Sequence, residues 1–359
     1  MTRLKELQST MVAQRVDFIA LGPGAHMHWL LGFHPHPDER PCLLCVTQRG
    51  AAFLMPALNA EGSRTGTDLP FFEWGDADGP VHAFGRLLDD LGARGAARIV
   101  LDETMRADFA ALVQDALPEA ERQFTAATIG HLRMIKDDAE YRVLKQNALI
   151  ADRAMQAGWT AMGAAMTELE VAGVIRDRFK DLGANPLFTI VGAGGNGAFP
   201  HHQTGETRLA PGDAVVMDIG AGIGGYSSDM TRMAVLGTPP EGYAEIHAIV
   251  EAAVQAAMKA ARPGGKAHEV DDAARGVIVD AGYGAFFVHR TGHGMGVEVH
   301  EHPYLTSASQ TVLEAGMVFS IEPGIYLPGR FGIRLEDIVI LRADGPEVLS
   351  DLPRDVRVI

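Results

Sequence analysis

The sequence predicts an α+β protein in which a large C-terminal domain is preceded by a smaller α/β domain. Strands alternate with helices over the first third, and beyond residue 130 the order of two helices followed by hairpins occurs twice. Over 359 residues, 47% hydrophobic and 21% charged residues provide for large buried cores and exclude a mostly disordered chain. The sequence divides into an N-terminal domain at 1–125 and a C-terminal domain of duplicated helix-helix-hairpin units at 130–359.

In the first third, residues 3–14 read as a helix, 17–21 as a short strand, and 41–46 and 51–55 as strand-like runs. Residues 81–91 form a helix, 98–101 a strand and 106–117 another helix, before the polar stretch 118–130 marks the boundary. Asp137 and Glu140 have the spacing of a capping box, which opens a helix reaching about residue 161. Thr167 and Glu170 repeat that spacing before a second helix, ended by Gly183. Strands follow at 187–191, 214–219 and 226–235, the last two flanking a glycine-rich turn. The second repeat has helices at 243–261 and 269–281, then strands near 285–289, 317–321 and 333–341.

Charge and cysteine content narrow the function classes. Lys plus Arg is 31 against 46 for Asp plus Glu, and a net charge of −15 repels phosphate backbones and anionic lipid heads. Neither nucleic acid nor a membrane is therefore expected as a partner. No apolar run reaches the roughly 18 residues of a membrane helix, and the charged N-terminal segment lacks the apolar stretch of a signal peptide. Two cysteines exclude a disulfide scaffold. The expectation is a cytoplasmic enzyme.

Two motifs mislead. Gly192, Gly194 and Gly197, and again Gly220, Gly222 and Gly225, match G-x-G-x-x-G, but neither triplet opens the helix whose N-terminus would receive a pyrophosphate. Cys42 and Cys45 form a C-x-x-C inside the apolar run CLLCV, where buried core residues are expected rather than a redox or zinc site.

The chemistry-bearing residues lie elsewhere. Asp218 ends an apolar strand and Asp229 follows eleven residues later, so a hairpin turning at about 223–224 sets the two carboxylates opposite each other. Carboxylates that close inside apolar strands repel each other and need a cation. The second repeat supplies Glu322 after an apolar run, Glu336 among β-branched residues, and His293 between two glycines. Four carboxylates and an imidazole, without thiolate, select a hard or borderline divalent ion. One such ion leaves the set at −2 and two neutralise it, and water between two Lewis acids is nucleophilic near neutral pH. His201, His202 and His300 are available to stabilise an oxyanion or to protonate a leaving amine.

The segments FPHHQTGET, MDIGAGIGGYSSDMTR, HRTGHGMGVEVHEHP, FSIEPGIY and GIRLED resemble the metal-dependent aminopeptidase P and prolidase family, over about residues 130–359. The resemblance implies the pita-bread catalytic fold. It also implies a two-metal site of Asp218, Asp229, His293, Glu322 and Glu336, with Asp229 and Glu336 bridging. His201 and His300 become substrate and transition-state contacts, with Tyr326 and Arg334 supporting them. Manganese is the implied metal, with cobalt, zinc or iron as alternatives, and a homodimer the implied assembly. The reading is an Xaa-Pro dipeptidase that hydrolyses the bond preceding proline in small peptides. An aminopeptidase P on longer peptides, a hydrolase or lyase of a small non-peptide substrate, and a non-catalytic binding module are the alternatives. One position departs from part of the family. Some prolidases carry an arginine four residues after the histidine matching His300, and here that residue is Tyr304. Arg40, in the proline-rich loop FHPHPDERP, is the candidate to hold the substrate carboxylate instead.

Overall fold

The computed structural model describes residues 2–359, and the chain divides into one unit ending at Arg133 and a second running Met134–Ile359. In the first, α1 (Thr2–Gln14) leads to β1 (Phe18–Leu21), α2 (Ala25–Leu31), β2 (Leu43–Thr47), β3 (Ala51–Pro56), α3 (Ala57–Ser63) and β4 (Phe71–Trp74). Then come α4 (Pro80–Asp90), β5 (Arg98–Leu101), α5 (Ala107–Ala116), β6 (Glu121–Phe124) and α6 (Ile129–Met134). The six strands form one mixed sheet in the order β4-β3-β2-β1-β5-β6. Central β1 is buried along its whole length, which is why it reads as a continuous apolar run. The sequence pattern leaves α2, α3, β4, β6 and α6 unannounced, the three helices because seven residues or fewer are too short to show a repeating helical period. Edge strand β6 is also exposed at most positions, so no apolar alternation marks it. Cys42 and Cys45 are free and buried, and burial pushes both thiols up, Cys42 to about 12. That is the core role expected of them.

The second unit opens with α7 (Asp138–Ala161) and α8 (Glu168–Asp181), followed by β7 (Asn185–Ala193), β8 (Ala214–Ile223), β9 (Tyr226–Ser227) and β10 (Met230–Val235). The pattern resumes with α9 (Tyr243–Ala260) and α10 (Ala267–Asp280), then β11 (Gly292–Gly294), β12 (Glu301–Leu305) and β13 (Val318–Ile321). It closes with β14 (Gly324–Leu327), β15 (Phe331–Arg334), β16 (Asp337–Arg342), β17 (Gly345–Val348) and β18 (Arg357–Val358). Both expected capping boxes form: Asp137 accepts from Glu140 N at 2.9 Å, and Thr167 accepts from Glu170 N at 3.1 Å.

Each helix pair covers its own sheet. Met155, Val171, Ile175 and Phe179 of α7 and α8 pack on Val191, Val215, Met217 and Ile219 of the sheet β18-β10-β8-β7, in which β9 also pairs with β8. Val250, Val254, Val270 and Ala274 of α9 and α10 pack with Phe319, Ile321 and Val339 of the sheet β12-β11-β13-β16-β17. Strands β14 and β15 make a separate hairpin. Two helices on a sheet, twice, is the predicted architecture.

Three local expectations change. The β8–β9 turn lies at Gly224 and Gly225, both with positive φ (62° and 79°), one residue later than expected. Asp218 is therefore the register partner of Thr231, and Asp229 is its diagonal rather than its direct neighbour. Residues 285–289 form no strand: a 3₁₀ turn at Gly284–Phe286 runs into them, and Arg275 then takes the carbonyls of Phe287 and His289 at 3.1 and 2.8 Å. Those are acceptors a neighbouring strand would need. Finally, the run 333–341 is two strands: β15 pairs with β14, β16 with β13, and Leu335 and Glu336 form the break between them.

Candidate active site

The local backbone presents each carboxylate. Asp218 sits inside β8, whereas Asp229 and Glu336 each stand immediately before a strand, β10 and β16. Glu322 directly follows β13, and His293 is the middle residue of β11. Glycines flank His293 because nothing larger fits. A Cβ on Gly292 would lie 2.0 Å from Ser320 O, and one on Gly294 would lie 2.1 Å from His302 O.

These five residues converge on one cavity of about 610 Å³, which His201, His300 and Arg334 also line. His293 Nε2 is 3.2 Å from Glu322 Oε1 and 3.6 Å from Asp229 Oδ2. Candidate donor atoms group as Asp218–Asp229–Glu336 and as His293–Glu322–Glu336, in each case within 4.8 Å of one another. A third group is Asp229–His293–His300, at the same spacing. Glu336 is thus common to two groups, and Asp229 joins Asp218 on one side to His293 on the other.

Supporting hydrogen bonds fix the donors. Ser320 Oγ accepts from His293 N at 2.9 Å and donates to Glu322 Oε1 at 3.0 Å. His293 Nδ1 is 3.1 Å from Gly294 O, which leaves Nε2 toward the carboxylates. Arg334 pairs with Asp218 Oδ2, and donates to Thr231 Oγ1 at 3.0 Å and Tyr326 Oη at 3.0 Å. Tyr326 Oη in turn contacts His289 Nε2 at 2.8 Å.

Electrostatically, the carboxylates are held against their own preference. Burial raises the pKa of Asp218 despite the neighbouring Arg334. Asp229 and Glu336 are raised well above the usual carboxylate range, by burial and then by the charges of the other carboxylates. Burial pushes Glu322 upward as well, but the hydrogen bond from and charge of His293 outweigh it and hold it at about 2. Asp218 Oδ1 is buried with no hydrogen-bond partner, an orphan acceptor in a ring of acceptors. A divalent cation satisfies all of these conditions, so the residues present fit the expected metal.

The structure separates the remaining histidines. His201 and His300 are exposed toward the cavity, whereas His202 turns away to Glu168 Oε2 at 2.8 Å. Partial burial, then the charges of His293 and Arg290, push His300 down to about 4. Arg40 lies in the other unit, where Asp76 takes its Nε and Nη2 at 2.9 Å each. Tyr304, on β12, is the register partner of His293 and carries the Arg290 guanidinium over its ring. Sequence reasoning missed His289, Arg290, Thr231 and Ser320. The signal for the first two was their place directly before TGHG; the two hydroxyls have none.

A buried carboxylate–imidazole cluster at the floor of a cavity, on a duplicated α+β fold, defines a metal-dependent hydrolase. Comparison with known proteins gives the family. Residues 142–343 match metallopeptidase family M24, and residues 3–135 match the creatinase/prolidase N-terminal domain. The Xaa-Pro dipeptidase of Pyrococcus furiosus is 32% identical, over 99% of this chain and 99% of its own. The crystal structure of a prolidase from Thermococcus sibiricus superposes with a TM-score of 0.92 at 32% identity, covering 99% of this chain and 98% of that one. Dipeptidase PepE from Mycobacterium ulcerans superposes with a TM-score of 0.94 at 33% identity, covering 100% and 97%. The chain belongs to metallopeptidase family M24 and is a peptidase.

Proposed function

We propose that this protein is an Xaa-Pro dipeptidase whose catalytic domain is the unit Met134–Ile359. The observation that carries the reading is the pair of donor groups sharing Glu336 at the floor of one cavity. Arg334 already offsets part of the carboxylate charge through Asp218, so charge alone no longer counts the ions. Two overlapping groups support a pair of ions: Asp218 on one side, His293 and Glu322 on the other, with Asp229 and Glu336 between them. The chemistry that divalent ions supply there is Lewis acidity and a lowered pKa for water.

The chain's own residues do the rest. His300 and His201 face the cavity where an oxyanion forms and an amine departs. Arg334 and Tyr326 hold Asp218 and His289 in place behind them. Phe188, Ile190 and Val299 give the cavity an apolar wall suited to a proline ring. An oxygen-rich donor set supports manganese as the metal, with cobalt, zinc or iron as substitutes. A cytoplasmic homodimer completes the reading.

The test is a panel of alanyl-proline, an alanyl-prolyl tripeptide and C-terminally amidated alanyl-proline with metal-loaded protein. A dipeptidase cleaves the free dipeptide with a kcat/KM at least about tenfold above the others. Equal or better cleavage of the tripeptide replaces this reading with an aminopeptidase P.

A further inference from the structure

The cavity contains two arginines with different commitments. Arg334 is buried and engaged by Asp218, Thr231 and Tyr326. Arg290 lines the same cavity, yet among the described residues no oxygen accepts a hydrogen bond from its guanidinium. Its contact is with an aromatic face, with Cζ 4.4 Å from the centroid of the Tyr304 ring. A cation held over an aromatic face is placed without using up its N–H donors, which stay available to take a carboxylate by two hydrogen bonds.

Both partners are fixed by the fold. On either side of Arg290, Arg275 donates to His289 O at 2.8 Å and Thr291 N donates to Asp271 Oδ1 at 3.0 Å. Tyr304 is locked opposite His293 in the β11–β12 register, and its ring also packs against His302 at 4.6 Å between centroids. A phenol cannot replace a guanidinium at this position, but it can hold one supplied from fourteen residues upstream. Arg40 is in the opposite condition, its guanidinium already taken by Asp76 and by Glu39 at 2.8 Å.

We propose that Arg290, braced on Tyr304, binds the C-terminal carboxylate of the dipeptide substrate and so sets the preference for dipeptides. The proposal rests on the Xaa-Pro reading above.

The experiment uses the metal-loaded protein with alanyl-proline and its C-terminal amide, and measures inhibition by proline and prolinamide alongside. Wild type prefers the free acid. Arg290→Met raises KM for the free acid by about 10- to 100-fold, the usual range for a lost charge-assisted pair, with a much smaller change in kcat. The acid-over-amide preference collapses, and proline weakens as an inhibitor while prolinamide does not. Arg290→Lys recovers part of the preference, and Tyr304→Leu loses part of it. A variant Arg290→Met that keeps the preference overturns the proposal, as does an equal loss on acid and amide. Loss of the preference in Arg40→Met but not in Arg290→Met moves the clamp to the N-terminal loop. A wild type that cleaves acid and amide equally removes the clamp and the dipeptidase preference together, and leaves only cleavage before proline standing. A wild type that cleaves neither removes that reading itself.

Discussion

Thr231 donates a 2.7 Å hydrogen bond to Glu336 Oε2 while accepting one of 3.0 Å from Arg334 Nε. Thr231 stands on β10 opposite Asp218, and Glu336 in the break between β15 and β16, so one hydroxyl joins the two repeats at the candidate metal site. It orients the carboxylate shared by both donor groups, and through Arg334 it is connected to Asp218 as well. Such outer contacts decide how well a ligand set is aimed.

Thr231→Val keeps the shape and removes the hydroxyl. Two buried polar atoms then lose a partner, at a cost of about 1–3 kcal/mol each. Metal affinity should fall about 10- to 100-fold. Titration with manganese, followed by calorimetry, measures it. An unchanged affinity would show that Glu336 is positioned without Thr231.

Arg232, the adjacent residue, is fully buried and works through the backbone. It donates to Asp337 Oδ1 at 2.6 Å, Leu352 O at 2.7 Å and Pro353 O at 3.0 Å, and also to Glu336 O. It thereby fastens the C-terminal segment to the break that presents Glu336. Arg232→Met leaves Glu336 O and Asp337 Oδ1 buried without this donor, which costs about 3–5 kcal/mol. Thermal unfolding should fall by roughly 10 °C. A shift under about 2 °C would mean that water or Arg354 replaces it.

How far the sequence led is seen best in the strand breaks. The four candidate carboxylates were legible because charge in or beside apolar strand runs is costly, and His293 because glycines flank it, and both signals are local to the sequence. Their mutual placement was not. Asp229 moved from direct to diagonal partner of Asp218 because two adjacent positive-φ glycines set the turn one residue later. Glu336 was read within one strand, yet it stands where the chain leaves β14 and joins β13. Both facts depend on which strand pairs with which, and pairing is a long-range property. Arg290 was invisible for a related reason: only the fold brings its guanidinium over Tyr304.

His300 and His201 separate turnover from metal retention. Both face the cavity, and His300 lies with its ring centroid 4.0 Å from that of His293. Acid–base or oxyanion contributions are typically worth about 10²–10⁴ in rate. His300→Ala and His201→Ala should lose kcat in that range and keep near-normal metal content. His300 also falls within 4.8 Å of Asp229 and His293 as a possible donor, which makes its metal content the informative measurement. Loss of an ion in His300→Ala would make His300 a ligand.

The last prediction concerns the number of ions. Glu336 and Asp229 each connect donors on both sides of the site, whereas Asp218 stands on one side and His293 and Glu322 on the other. Ligands so arranged hold two ions only if the connecting carboxylates remain. Metal analysis of the wild type at saturating manganese should therefore give about two ions per chain. Glu336→Gln and Asp229→Asn should lose turnover, with fewer than two ions bound. Removing one of four mutually repelling carboxylates also relieves the cost that burial imposes on the rest. The metal-free forms of both variants should accordingly unfold at the same temperature as metal-free wild type, or higher. That outcome separates a functional cluster from a structural one, since a structural pair broken in half destabilises the fold. Full activity after exhaustive chelation, or two tightly bound ions in Glu336→Gln, would refute the bridged arrangement.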